Sequence, residues 1–245
     1  MKNRGKNMSK LPAEVNLIIA FSARRHGNMS LYYGLTSEAL NNRRDFLSSL
    51  GIDYRDLVCP RQIHKDGIRY VTEENKGSGA SAYGGSIADT DGFITDKRNV
   101  PLAVFTADCL SVFLYDHKTP AIGLVHAGWR STKENIVAKA IKLMQEKFSS
   151  DPKELYAGFG SSVRGCCYEV SLDFKNYFSS GLSEKNGRLY LDLAEVNKEQ
   201  LIAAGLKEAN IFPPQACTFC NNDEFFSFRK EGKACGRMMS VIMLK

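Results

Sequence analysis

The sequence predicts a single α+β domain in which mixed and antiparallel sheets are flanked by helices. Helical and strand-length apolar runs are interleaved along all 245 residues. Three consecutive apolar runs near the middle lie too close together for helical crossovers between them, which points to antiparallel pairing. No Pro/Gly/Ser-rich linker or shift in composition divides the chain. A chain of this length can bury roughly 70 to 75% of its unfolded surface, and a composition of 43% hydrophobic and 24% charged residues is that of a folded protein.

The elements follow in order. Residues 1–12 carry Lys2, Arg4, Lys6 and Lys10 and are expected to form a flexible basic tail ahead of one catalytic domain over 13–245. Residues 15–23 (VNLIIAFSA) imitate a secretory signal. Glu14 and Asn16 interrupt the apolar region, however, and its β-branched residues suit a strand, expected over 15–22. Residues 37–50 place Ala39, Leu40, Phe46, Leu47 and Leu50 on one helical face, with Gly51 where a left-handed cap belongs. The stretch 73–91, containing GSGASAYGGS, is expected to be a flexible loop.

Apolar runs at 102–106, 111–115 and 121–125 are the three central strands. Ser131 and Glu134 have capping-box spacing ahead of Ile136, Val137, Ala140, Ile141, Leu143, Met144 and Phe148, whose period is helical. A strand at 155–159 follows. Asp192 and Glu195 then repeat the capping pattern before Leu201 and Ile202, with Gly205 at the end. A last strand is expected at 239–244.

Composition also excludes some partners. The net charge of +6 is spread along the chain without a basic stripe interleaved with aromatics, so nucleic acid is not expected, whereas anionic small molecules such as phosphate suit it. No apolar run approaches the ~20 residues that cross a bilayer, so no membrane association is expected. Seven cysteines cannot all pair internally and show no disulfide-scaffold rhythm. A reducing, cytoplasmic setting fits them, with the protein a monomer or small homo-oligomer.

Two segments hold reactive side chains at predicted strand ends: Thr106-Ala107-Asp108-Cys109 and Val125-His126-Ala127-Gly128-Trp129-Arg130. A thiolate and an imidazole are good zinc ligands, and a third would give the three-ligand arrangement that leaves one tetrahedral position open. His64 is the natural third, because His117 lies in a polar turn and His26 sits among Arg24, Arg25 and Gly27. Spacing alone leaves two readings open, a metal site or a core cysteine beside hydrogen-bonded histidines.

PLAVFTADCLSVFLYD, AIGLVHAGWRST, RQIHKD, ADTDGFIT, GFGSSVRGCCYEVS, LDLAEVNKEQL, FFSFRKEG and GRMMSVIML resemble the signature segments of the multicopper polyphenol oxidase family, also described as YfiH-like or laccase-domain proteins and as purine nucleoside phosphorylases. The resemblance runs from about Phe21 to the C-terminus. It implies a YfiH-like α+β fold with one zinc held by His64, Cys109 and His126. It also implies phosphorolysis of adenosine, inosine and methylthioadenosine to the free base and ribose 1-phosphate, with adenosine deamination as a second activity. Phosphorolysis needs cationic side chains to hold phosphate at the anomeric carbon. Arg24, Arg25, Arg130 and Arg229, each beside a family-like segment, are the candidates, with ordinary surface or structural roles as the alternative. Asp108 is a candidate to orient a metal ligand, or else a turn residue at the strand end.

Two other chemistries are weighed. Cys109 could serve as nucleophile and His126 as base, because the fold associated with the family resembles cysteine-hydrolase toxin domains; amide or cell-wall peptide hydrolysis would follow. Copper-dependent phenol oxidation needs clustered histidines that four dispersed ones do not supply, which leaves adventitious copper and weak oxidation in vitro.

Three departures stand out. The paired glycine that usually follows the early arginine is absent around Arg24 and Arg25, Gly160 precedes Ser161 where the family pattern has proline, and Cys217 and Cys220 form a C-x-x-C. Without a βαβ context, Cys217 and Cys220 are expected to be two reduced thiols, with a redox or second metal role as the less favoured alternative.

Overall fold

A computed structural model describes residues 16–214 and 216–245. The expected basic tail and Val15, the first residue of the expected first strand, lie outside the described residues. The strands are β1 (Leu17–Phe21), β2 (Ile68–Tyr70), β3 (Gly92–Thr95), β4 (Leu102–Thr106), β5 (Leu110–Asp116), β6 (Ala121–Ala127), β7 (Leu155–Phe159), β8 (Glu169–Val170), β9 (Leu182–Lys185), β10 (Arg188–Leu191), β11 (Ile211–Phe212) and β12 (Met238–Leu244). The helices are α1 (Thr36–Ser48), α2 (Trp129–Lys133), α3 (Ile136–Phe148), α4 (Leu193–Ala203) and α5 (Phe228–Glu231). Most connections are short turns, and among the described residues no helix is long and apolar enough to cross a membrane.

A six-stranded sheet in the order β11-β7-β5-β6-β3-β2 packs against a three-stranded sheet β1-β12-β4, and β8-β10-β9 forms a small third sheet. Side-chain alternation explains the layering. From β5 and β6, Leu110, Val112, Leu114, Val125 and Ala127 meet Ile136, Val137, Ala140, Ile141 and Met144 of α3 on one face. Phe113, Tyr115, Ile122 and Leu124 meet Leu102, Val104, Ile242 and Leu244 of the smaller sheet on the other. The far face of that sheet places Ile18, Ala20, Met239, Val241 and Met243 against Phe46 and Leu47 of α1. The order is helix, sheet, sheet, helix.

The fold class matches the sequence prediction, and several of its details differ. Leu102–Thr106 does not pair with its neighbour in sequence. β5 and β6 form the expected antiparallel pair, whereas β4 pairs with β12 in the other sheet. The three residues between β4 and β5 carry the chain across, with Asp108 at φ 87° to make the turn. Two strand pairs, β2 with β3 and β7 with β11, are parallel.

Asp192 caps α4 as expected, accepting from the amides of Ala194 and Glu195, and Gly51 adopts φ 74° after α1. Ser131 is not a cap. The Thr132 amide already donates to Gly128 O at 2.8 Å, so a helical turn starts earlier. Asn135 in the left-handed region then breaks it before α3. The glycine-rich 73–91 stretch folds into short turns, pinned where buried Arg43 donates to the carbonyls of Gly79 and Ala80 at 3.0 and 2.7 Å.

Candidate metal centre

The sheet switch determines where the reactive groups lie. Cys109 is the last residue before β5, and His126, one residue from the end of β6, pairs in register with Ser111. His64 arrives from a separate loop, held to β4 by two hydrogen bonds between the Gln62 amide and the Phe105 backbone at 2.8 and 2.9 Å. One ligand atom from each of His64, Cys109 and His126 lies within 4.8 Å of the others, and the two imidazole rings are edge-on with centroids 4.8 Å apart. His126 is buried, Cys109 half-buried and His64 exposed, so the cluster opens on the His64 side.

Asp91, at 0% exposure, organises the centre. Its Oδ1 pairs with His126 Nδ1 at 2.8 Å and accepts from the His64 amide at 3.0 Å, while Oδ2 accepts from the amides of Ile63 and Lys65 at 3.1 and 3.0 Å. Its carbonyl accepts the His126 amide at 2.7 Å. Three consecutive amides wrapped on one carboxylate allow His64 to sit at φ 58°. Burial alone would push the Asp91 carboxyl up. The His126 contact and these amides outweigh it and hold the pKa below the usual value.

The cluster is also an ion pair. Burial pushes Cys109 up, but His126 and His64 together bring it down to about 6. Burial pulls His126 down, but the Cys109 thiolate and the Asp91 carboxylate raise it to about 9. A Cβ on Gly128 would lie 3.2 Å from Cys109 Sγ and 3.3 Å from His64 Cδ2, so glycine is what lets the backbone pass this close.

A sulfur and two imidazole nitrogens are the donor set of a catalytic zinc site. Tetrahedral zinc would separate them by about 3.3 to 3.8 Å, from bond lengths of about 2.0 to 2.3 Å, which the cluster can meet with small side-chain movements. Asp91 adds the carboxylate that zinc-bound histidines usually have on the opposite nitrogen. The residues present fit the metal.

Asp108 is placed differently from the ligand-orienting role considered for it. It is buried beside Cys109, but Oδ1 accepts from Thr218 Oγ1 at 2.7 Å and Oδ2 from the Arg229 amide at 2.6 Å. It fastens the Thr218 turn and the start of α5 to the sheet switch, and Asp91 has the orienting position. Nothing in the DTDG stretch separates Asp91 from Asp89 except the fold. Tyr168 is a second residue that sequence reasoning missed. Burial, then the nearby Cys109 and Asp108 charges, raises its hydroxyl well above the ordinary tyrosine value, against the pull of Arg229 and Arg130. It stays protonated.

The four candidate arginines separate into two groups. Arg130 and Arg229 are exposed and share the surroundings of Tyr168, with the Arg130 guanidinium 4.2 Å over the Trp129 ring and that of Arg229 bonded to Glu169 O. Arg24 is committed elsewhere, donating to Asn222 O at 2.7 Å, Phe225 O at 3.1 Å and Glu231 Oε1 at 2.5 Å. Arg25 is exposed beside His26, whose Nδ1 accepts the Ala23 amide. His117 bonds Glu154 O. Neither histidine joins the cluster.

The chain is similar to several known proteins. The family model described as multi-copper polyphenol oxidoreductase laccase matches residues 22–245. Purine nucleoside phosphorylase YlmD of Geobacillus stearothermophilus is 32% identical over 225 residues, covering 88% of this chain and 82% of the relative. Adenosine deaminase RL5, from an unknown prokaryotic organism, is 29% identical over 215 residues, covering 84% and 82%. The crystal structure of the hypothetical protein YfiH of Bacillus licheniformis superposes with a TM-score of 0.90 at 31% identity, covering 94% of this chain and 93% of that one.

Proposed function

This chain belongs to the multi-copper polyphenol oxidoreductase laccase family, and we propose that it is a zinc-dependent purine nucleoside phosphorylase with adenosine deaminase activity. Adenosine, inosine and methylthioadenosine are its proposed substrates, with phosphate as the acceptor of the ribosyl group and a free base and ribose 1-phosphate as products. The observation that carries the reading is the convergence of His64, Cys109 and His126 within 4.8 Å, backed by Asp91. Relatives named for both activities support it.

When bound, zinc would supply an electrophilic centre with one position open to a reactant. The chain's own groups do the rest. Asp91 holds the His126 proton on Nδ1, which leaves Nε2 as the ligand atom. Arg130 and Arg229 are the proposed phosphate-binding cations, because Arg130 lies two residues beyond Gly128, the Arg229 amide bonds Asp108 next to Cys109, and Arg24 is tied to Asn222, Phe225 and Glu231. The Tyr168 hydroxyl, kept protonated, can donate to a reacting oxygen or nitrogen near Cys109.

Purified metal-replete protein incubated with adenosine and phosphate should release adenine, and Cys109→Ala or His126→Ala should abolish the release. Folded, metal-loaded wild-type protein that releases neither adenine nor ammonia would overturn the proposal.

One further observation favours a second reading. Cys109, His126 and Asp91 form a thiolate, imidazolium and carboxylate series of the kind cysteine hydrolases use. Alkylation separates the two. A free activated Cys109 reacts at once, whereas a metal-held one reacts only after a chelator is added.

A further inference from the structure

Four of the remaining cysteines meet away from this centre. The adjacent pair Cys166-Cys167, in the turn before β8, faces Cys217 and Cys220, the C-x-x-C expected to be two reduced thiols. One sulfur from each of the four lies within 4.8 Å of the others. The Cys220 sulfur is 3.7 Å from that of Cys166 and 3.2 Å from that of Cys167. In a tetrahedral zinc–thiolate centre with bonds of about 2.3 Å, neighbouring sulfurs sit about 3.8 Å apart, close to these separations.

The backbone is arranged for the same purpose. The C-x-x-C turn is held closed by the Asn221 amide and side chain, both donating to Cys217 O at 3.0 and 2.9 Å. Its partner turn is closed by the amides of Cys167 and Tyr168 on Arg164 O. A bridge between Ser162 and Cys217 fixes the two segments side by side. Lys230 over the Phe219 ring and Lys185 on Gly165 O place positive charge beside what would be an anionic cluster.

We propose that Cys166, Cys167, Cys217 and Cys220 form a second, closed metal centre that holds one zinc ion and clips these two loops together. Loading forms four Zn–S bonds and releases four thiol protons to solvent. No group changes oxidation state, so no oxidant is involved, and four protein ligands leave no position for a reactant, which makes the centre structural. Its effect on the first centre runs through two residues: Thr218, inside the C-x-x-C turn, holds Asp108 next to Cys109, and Tyr168 directly follows Cys167.

The test separates this centre from the first. Cys109→Ala protein, purified under reducing conditions with zinc and freed of loose metal, should still carry about one zinc per chain, and cobalt substitution should give the intense visible bands of tetrahedral thiolate coordination. Adding Cys217→Ser and Cys220→Ser should remove that metal. A folded Cys109→Ala protein without zinc would overturn the proposal, whatever the fate of the first centre. Wild-type protein provides an arm independent of the variants. Cys166 and Cys220 are exposed, so burial cannot shield them, and their alkylation should be slow until a chelator strips the metal. Alkylation at the rate of free thiols in zinc-loaded protein, or a disulfide among the four under reducing conditions, would equally overturn it.

Discussion

Asp91 carries more of the candidate site than any of the three ligands, because a single carboxylate both orients His126 and shapes the His64 loop. Asp91→Asn keeps the size but loses the charge and presents an amide N–H or a weaker acceptor to those donors. Loss of such a partner typically lowers metal affinity ~10 to 100-fold, so competition with a chromophoric chelator should show weaker zinc binding in a protein that still folds. Asp108→Ala should instead cost stability, about 1 to 3 kcal/mol for the unpartnered Thr218 hydroxyl and Arg229 amide, read as a lowered urea midpoint. The sulfur at position 109 adds a pH signature. With Cys109 lowered to about 6 and His126 raised to about 9, metal-free protein contains the thiolate and imidazolium together between those values. Alkylation of Cys109 should fall as pH drops through about 6, where the sulfur gains its proton. It should not fall as pH rises through about 9, where the imidazolium loses its own. These two steps belong to the pair as a whole.

Elements place these residues through their ends. β4 stops at Thr106, the chain turns at Asp108, and β5 begins in the other sheet, so Cys109 falls at the seam between sheets. The turn from β6 into α2 passes so close to the ligands that Gly128 has no room for a side chain on the metal side. Gly128→Ala would place its Cβ 3.2 Å from Cys109 Sγ, and that neighbour cannot yield without shifting a ligand. The expected outcome is weaker zinc binding and lower turnover with little change in helix content, which circular dichroism and metal titration would distinguish. The core helix α3 behaves differently. Met144 is fully buried in the cluster under β5 and β7, so Met144→Ala should cost about 2 to 5 kcal/mol and leave metal affinity per folded molecule unchanged.

At the scale of the whole molecule, the last strand holds the layers together. β12 lies between β1 and β4, and all seven of its residues are buried. Met239, Val241 and Met243 reach the α1 layer, while Ile242 and Leu244 reach the six-stranded sheet. Ser240 Oγ also bonds Ser111 Oγ at 2.7 Å, joining the two sheets through the residue that pairs with His126. A chain ending at Arg237 would leave β1 and β4 without a partner and expose both neighbouring cores. It should therefore be insoluble or lack a cooperative unfolding transition, and a soluble, cooperatively folded truncation would contradict this account of the fold.

Much of this protein was legible in its sequence where neighbours a few residues apart decide the outcome. The period of α3, the Asp192 cap of α4 and the left-handed Gly51 all follow from local sterics and hydrogen bonding. The set of His64, Cys109 and His126 was legible for another reason, since each lies in a distinctive segment and few histidines compete. What remained hidden depends on contacts between distant positions. Which sheet receives β4, that Asp91 rather than Asp108 meets a ligand, that Arg24 pairs with Glu231, and that two cysteine pairs converge are all questions of long-range partners. Asp108 and Thr218 are separated by 110 residues. A carboxylate or a thiol has the same local signature whatever it will touch, and only the packed sheets bring the partner within reach.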